Sequence, residues 1–249
     1  MKTLRLVGYL FMVTLLSVGF VSCSSDDDDD PVNDKQLISV VENGENFRVD
    51  FTHDAQGRLT KFVMDDYGDE SIYSFQYSDN QIIHTEKDQG GTYTTTYTLK
   101  DGRIVSKKDY HNETTEYSYK DGQLSRIVND GRFTMDFTWE NGNIIKVVEE
   151  DDETHTFTYS DISHRFVYMT VDIFDSLDDG GSFIDDILFQ LGYFGKSNKN
   201  LPTKGVHYYM GDFSFQQAAN YTLDNGMVSK VTCTDDEETS TYVLNYQNK

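Results

Sequence analysis

Side chains able to do chemistry are plentiful in this chain, but few stand at the spacings that chemistry needs. There are 43 Asp and Glu residues, so carboxylate pairs arise by chance, and most are read as a solvated face. The six histidines (His53, His84, His111, His155, His164 and His207) form neither an HxxH nor an HExxH pattern. No Gly-x-Ser-x-Gly turn and no Gly-rich phosphate loop is present. A hydrolase needs positioned acids, or a nucleophile beside its base. Neither is legible, so no enzyme activity and no cofactor are expected. Asp175, Asp179, Gly180 and Asp186 fall at the first, fifth, sixth and twelfth positions of a calcium loop. Leu177 stands where the third position must supply an oxygen, so the loop is a degraded calcium pattern and no metal site is expected. The most specific surroundings belong to Cys23. A basic start (Lys2, Arg5) and an apolar run from Leu6 to Val21 precede it. The run is about 16 residues, short of the roughly 20 that span a bilayer as a helix. A charged start, an apolar middle and small residues near a cleavage point mark an export signal over residues 1–22.

The end of that run, Phe20-Val21-Ser22-Cys23, resembles a bacterial lipobox. Ser22 fits the small residue before the cysteine, and Phe20 departs from the Leu preferred three before it. The resemblance implies cleavage before Cys23 and a diacylglycerol group on its sulfur. Each buried CH₂ of the acyl chains, such as palmitate, adds about 0.8 kcal/mol to membrane attachment. The competing reading is ordinary secretion with an incidental cysteine. Cys23-Ser24-Ser25 followed by Asp26 to Asp30 is similar to the surface-export signal of lipoproteins from Gram-negative gut anaerobes. It implies an outer-membrane, lipid-anchored and surface-exposed protein. Residues 23–36 then form an acidic tether, extended because like charges repel, and from Cys23 to Asp34 it reaches up to about 40 Å at ~3.3–3.6 Å per residue. With Cys23 acylated, Cys233 has no disulfide partner and is read as a small apolar strand residue. The acidic run beside it, Asp235 to Glu238, raises a thiol's pKa and so works against reactivity.

The formal charge of −22 opposes partnership with nucleic acid or an anionic membrane surface. Seventeen Tyr and 16 Phe nevertheless argue for a packed core rather than disorder.

The elements that must carry these residues repeat. An alternating aromatic strand, an Asp/Asn-Gly turn and a strand opening on an aliphatic residue recur at Tyr97 to Ile104, Tyr117 to Leu124, Phe137 to Ile144 and Tyr221 to Val228. Phe51 to Thr60 is a further copy. Asp-Gly and Asn-Gly tolerate the positive φ of tight hairpins, and a second turn falls half a period away. This predicts a mostly β protein: an antiparallel up-and-down meander of about 14–17 strands, curled into a barrel-like or half-barrel sheet. The units resemble the tyrosine-aspartate repeat of Rhs-type cell-surface proteins, most closely at Phe51 to Thr60. Over about residues 38–249 the chain looks like an uncharacterised family of surface lipoproteins with a porin-like β fold, which implies a fold but no activity.

The repeat breaks after Tyr159. Ser182 and Asp185 look like a capping box ahead of Phe183, Ile184, Ile187, Leu188 and Leu191 at helical spacing. One short helix is predicted near 183–194, in an insertion of about 174–203 within a single domain of 37–249. So apolar a helix must be covered, as a core plug or as a lid. Charge on both faces at Lys107-Lys108 and Glu149-Glu150 argues against a membrane barrel. The expected role is a surface binding or scaffold module, with polysaccharide or another envelope protein as partner and Trp139, Tyr93 and Tyr117 as candidate stacking residues. The alternative is a structural envelope lipoprotein without a small ligand.

Overall fold

The computed structural model describes residues 35–44, 46–150, 153–171, 173–174, 183–236 and 238–249. Cys23 and the acidic tether up to Asp34 lie outside the described residues, whereas Lys35 and Gln36 lie in the first strand. The strands are β1 (Lys35–Glu42), β2 (Phe47–His53), β3 (Leu59–Asp66), β4 (Asp69–Tyr77), β5 (Gln81–Lys87), β6 (Thr92–Lys100), β7 (Arg103–Lys108) and β8 (Thr114–Lys120). They continue as β9 (Gln123–Asn129), β10 (Phe133–Glu140), β11 (Asn143–Glu149), β12 (Glu153–Ser163), β13 (Asn200–Tyr209), β14 (Asp212–Asp224), β15 (Met227–Thr234) and β16 (Thr239–Asn248). The single helix among the described residues, α1 (Phe183–Gln190), lies between β12 and β13. Each strand pairs antiparallel with its neighbours in sequence, and β1 pairs with β16, closing a barrel of 16 strands.

The repeat turns all fall at one end. Asp101-Gly102, Asp121-Gly122, Asn141-Gly142 and Asn225-Gly226 have positive φ at both residues (52° and 75° in the first). That is the turn whose twist matches a right-handed hairpin. Just before each, the register slips by a bulge: at Leu99, Tyr119, Trp139 and Leu223. Bulges increase local twist and bend the strand, so the same kink recurs unit by unit around the barrel. The aliphatic residue after each turn is buried: Ile104, Leu124, Ile144 and Val228 are all at 0% exposure. For Ile104, Leu124 and Ile144 an aromatic of the next unit clasps the carbonyl. Tyr119 donates to Ile104 O, Trp139 Nε1 to Leu124 O at 2.7 Å, and Tyr159 to Ile144 O. Tyr77 does the same to Leu59 O at 2.6 Å. The sequence period of 20 is thus a structural link between consecutive hairpins.

A barrel this wide is not filled by its own strand side chains. The chain fills it by leaving β12 at Ser163, passing α1 through the interior and returning at β13. Ile184, Ile187, Leu188 and Phe189 join one core with inward residues from around the wall. Gly192, at φ 84°, ends α1, with Tyr193 N–H bonding Leu188 O and Gly192 N–H bonding Phe189 O. This is the helix stop expected of a glycine just past the last turn. The return segment then docks on successive repeat turns: Tyr193 O accepts from Ile104 N–H, Gly122 O from Lys196 N–H, and Gly142 O from Lys199 N–H. α1 is therefore a plug, shorter than the predicted 183–194, inside an excursion of 164–199. No helix among the described residues is long and apolar enough to cross a bilayer.

Candidate functional site

Alternation decides which groups reach the interior. Lys107 and Glu149 point inward while Lys108 and Glu150 are exposed. The inward charges gather at two places.

The first is on the plug. Asp185 is fully buried, and three adjacent strands converge on it: Tyr97 Oη from β6 at 2.9 Å, Lys107 Nζ from β7 at 2.8 Å, and Tyr117 Oη from β8 at 3.5 Å. Burial first, and the Asp185 carboxylate second, push the Tyr117 phenol well above its ordinary pKa. The Asp185 carboxylate is thus a tie between plug and wall, a role its spacing to Ser182 does not announce. Ser182 lies outside the described residues. The neighbouring Asp186 accepts from Ile173 N–H at 3.0 Å and Phe174 N–H at 3.1 Å. The rest of the calcium pattern, Asp175 and Asp179, lies outside the described residues.

The second is on the wall. His155 of β12 stands directly opposite His207 of β13, with ring centroids 4.4 Å apart and planes at 16°. Glu149, at the end of β11, places Oε1 2.7 Å from His155 Nε2. That contact lacks hydrogen-bond alignment. Glu153, two residues before His155 and so on the same face, places Oε2 3.3 Å from His207 Nε2. Phe215 packs on His207 at 4.8 Å between centroids. No spacing rule links residues 155 and 207, since strand pairing alone joins them. The available signal was the inward alternation Glu153, His155, Phe157.

Beside the plug a cavity of about 390 Å³ is lined by Phe47, Met64, Phe183, Cys233 and Tyr242, with Asp235 and Glu238 at its margin. Cys233 is half-buried on β15 and forms part of this lining.

The three candidate stacking residues are not brought together. Tyr117 is buried against Asp185 and Phe194. Trp139 is half-buried, with its N–H on Leu124 O and its ring 6.3 Å from Phe189. These two serve the core, because the aromatic stripe faces inward. Only Tyr93 reaches the rim, where its ring lies 4.9 Å from that of exposed Tyr110. The rim that sequence reasoning missed is richer. Tyr67, Tyr110, Tyr209, Met210 and Phe213 are each at least half exposed, and all sit at hairpins opposite the repeat turns. Tyr67 and Met210 have φ of 53° and 51°. A bulky side chain is disfavoured there, where Asn or Gly would be at ease.

Solved structures share the fold. A porin-like protein from Bacteroides uniformis ATCC 8492 aligns with a TM-score of 0.61 at 17% identity, covering 86% of this chain and 97% of its own. A porin-like protein from Bacteroides vulgatus ATCC 8482 aligns with a TM-score of 0.58 at 14% identity, covering 85% and 98%. No curated protein matches the chain in sequence. Residues 51–229 match the family described as "Domain of unknown function (DUF4595) with porin-like fold", and the chain belongs to that family.

Proposed function

We propose that this protein is an envelope lipoprotein, held to the outer membrane through Cys23, whose barrel stands in water as a non-catalytic binding module. The observation that carries this reading is the distribution of polarity. The outward face bears ionised side chains along the strands, as in the Arg126–Asp136 pair across β9 and β10, with Glu116 and Lys120 on β8. A lipid-facing band at mid-membrane excludes such groups. The interior, where a channel would need water, is packed with the plug.

The polarity of the ends supports the same reading. β1 starts at the repeat-turn end, where Arg58, Arg103, Lys120, Lys196 and Lys199 offset the turn aspartates. A tether entering there points the opposite rim away from the membrane. That rim is strongly acidic, with Asp65, Asp66, Asp69, Asp88, Asp109 and Asp130 among its residues, and it holds the exposed aromatics. Tyr93 and Tyr110, flanked by Asp109 and Asn112, have the make-up of a stacking platform for a sugar ring, with polar groups beside it for hydroxyls. This favours a polysaccharide partner over a purely structural role.

A glycan array probed with the purified protein tests the ligand class. Binding to a set of glycans, lost in Tyr110→Ala, is the expected result. Signals no higher than background, or signals unchanged in that variant, would remove the glycan partner. Protease shaving of intact cells tests the display: the protein should be digested, and its survival contradicts surface exposure.

A further inference from the structure

We propose that Glu149, Glu153, His155 and His207 form a binding site for one divalent transition-metal ion of the zinc class. The site is independent of the anchoring and of the sugar-binding reading, since it lies on the inner wall of the barrel.

The geometry carries it. One donor atom each from Glu153, His155 and His207 lies within 4.8 Å of the others. Glu149 brings a fourth to 2.7 Å from His155 Nε2. Ligand atoms about 2.0–2.1 Å from a tetrahedral zinc sit ~3.3 Å from one another, so rotations of these side chains close the set. The strands hold the donors in place. His155 and His207 are register partners, and Glu153 shares the inward face of His155.

The electrostatics ask for a cation. Glu149, His155 and His207 are at 5%, 3% and 9% exposure. Glu149 Oε1, His155 Nε2 and His207 Nδ1 are buried without a hydrogen-bond partner. Buried polar atoms are almost always satisfied, so three in one cluster need an explanation. Among the described residues, neither Glu149 nor Glu153 has a Lys or Arg ion-pair partner. The two imidazoles stack at 4.4 Å between the two carboxylates. A single divalent ion compensates both carboxylates. Glu149 Oε1 and His155 Nε2 lie close without aligning on each other, as two donors do when both point at a third centre.

The donor set chooses the ion. Two imidazole nitrogens and two carboxylate oxygens suit zinc and its first-row neighbours, whereas calcium and magnesium prefer all-oxygen shells. Glu153, whose side chain is 30% exposed, stands at the rim end of the cluster and gives the ion a way in.

The test is zinc titration of the chelator-stripped full chain by competition with a chromophoric chelator, alongside His155→Gln, His207→Gln, Glu149→Gln and, as a control on the surface, His111→Gln. Circular dichroism checks that each variant is folded. The parent and the control should take up about one tightly held Zn²⁺. The three site variants should bind it roughly 10- to 100-fold more weakly or not at all. Cobalt(II) in place of zinc should give visible absorption of a four-coordinate nitrogen–oxygen site in the parent and the control and not in the three site variants. Weak uptake by surface carboxylates is separated out because it persists in every variant. Absence of a tight equivalent in the parent overturns the site, as does a tight equivalent that survives in folded His155→Gln and His207→Gln.

Discussion

At the scale of single residues, the interior contains groups whose burial sets how stability responds to pH. His84 packs between Tyr73 and Phe75, and its Nε2 is buried without a hydrogen-bond partner. Burial lowers its pKa from 6.5 to about 4. The folded state therefore refuses a proton that the unfolded chain accepts. The contribution is fully present above pH 6.5 and is lost as pH falls through 4. Replacing His84 by Phe removes an unsatisfied polar atom. The variant should match or exceed the parent in urea-unfolding midpoint at pH 7 and show a flatter loss toward pH 4, by up to about 3 kcal/mol. An unchanged acid slope would mean that other groups dominate. Asp185 tests a buried charge contact. Asp185→Ala removes the carboxylate that Lys107 Nζ meets at 2.8 Å and should cost about 3–5 kcal/mol. Asp185→Leu combined with Lys107→Met should recover most of that loss in the same measurement.

Residues are also where reading from sequence failed in an informative way. Helix-start rules relate Asp185 only to Ser182, three residues away, and cannot see that strands 68–88 residues away supply it with a lysine and two tyrosines. Trp139 and Tyr117 belong to an alternating stripe that was correctly read, but alternation says only that one face is buried. It does not say that the curled sheet puts every such stripe on the inside.

At the scale of elements, the repeat turns were legible because their chemistry is local. Asp-Gly and Asn-Gly declare positive φ, and four such hairpins form as expected. The number of strands followed from counting turns. The clasp between units was not legible, because a side chain–carbonyl bond across neighbouring hairpins leaves only an aromatic at a fixed phase. Trp139→Phe tests it: the ring is kept, the N–H on Leu124 O is lost, and stability should fall by about 0.5–1.5 kcal/mol. The segment that returns from the plug depends on Gly195. A Cβ there would lie 2.5 Å from Gly122 O, and the backbone is at φ 83°. Gly195→Ala should cost more than Trp139→Phe, because main chain on both sides must move. Equal or smaller loss would place the docking of residues 191–199 outside what stabilises the fold. On the opposite rim the strained tips run the other way. Tyr67→Asn and Met210→Asn relieve a left-handed backbone and should raise the melting temperature slightly. Both would weaken binding if the rim makes the contact.

At the scale of the whole molecule, many phenols are held neutral in the wall. Burial raises Tyr73, Tyr242 and Tyr246 from 10.0 to about 12. The unfolded chain ionises first, so their contribution is intact below pH 10 and declines as pH rises through 12. Alkaline titration followed by tyrosinate absorbance should show these phenols ionising together with loss of β structure. Ionisation complete near pH 10 with the fold intact would mean that the wall is open to water.

The barrel's sidedness decides the account most directly. Its outward face is ionised, its inward face is packed, and in the function we propose it attaches to a membrane through a lipid on Cys23 alone. Detergent phase partition of the full chain and of Cys23→Ala, both expressed in a Gram-negative host, measures this. The parent should enter the detergent phase, and Cys23→Ala should appear in the aqueous phase with an unchanged β spectrum. Retention of folded Cys23→Ala in the detergent phase would contradict the account, because the barrel itself would then be the part that holds lipid.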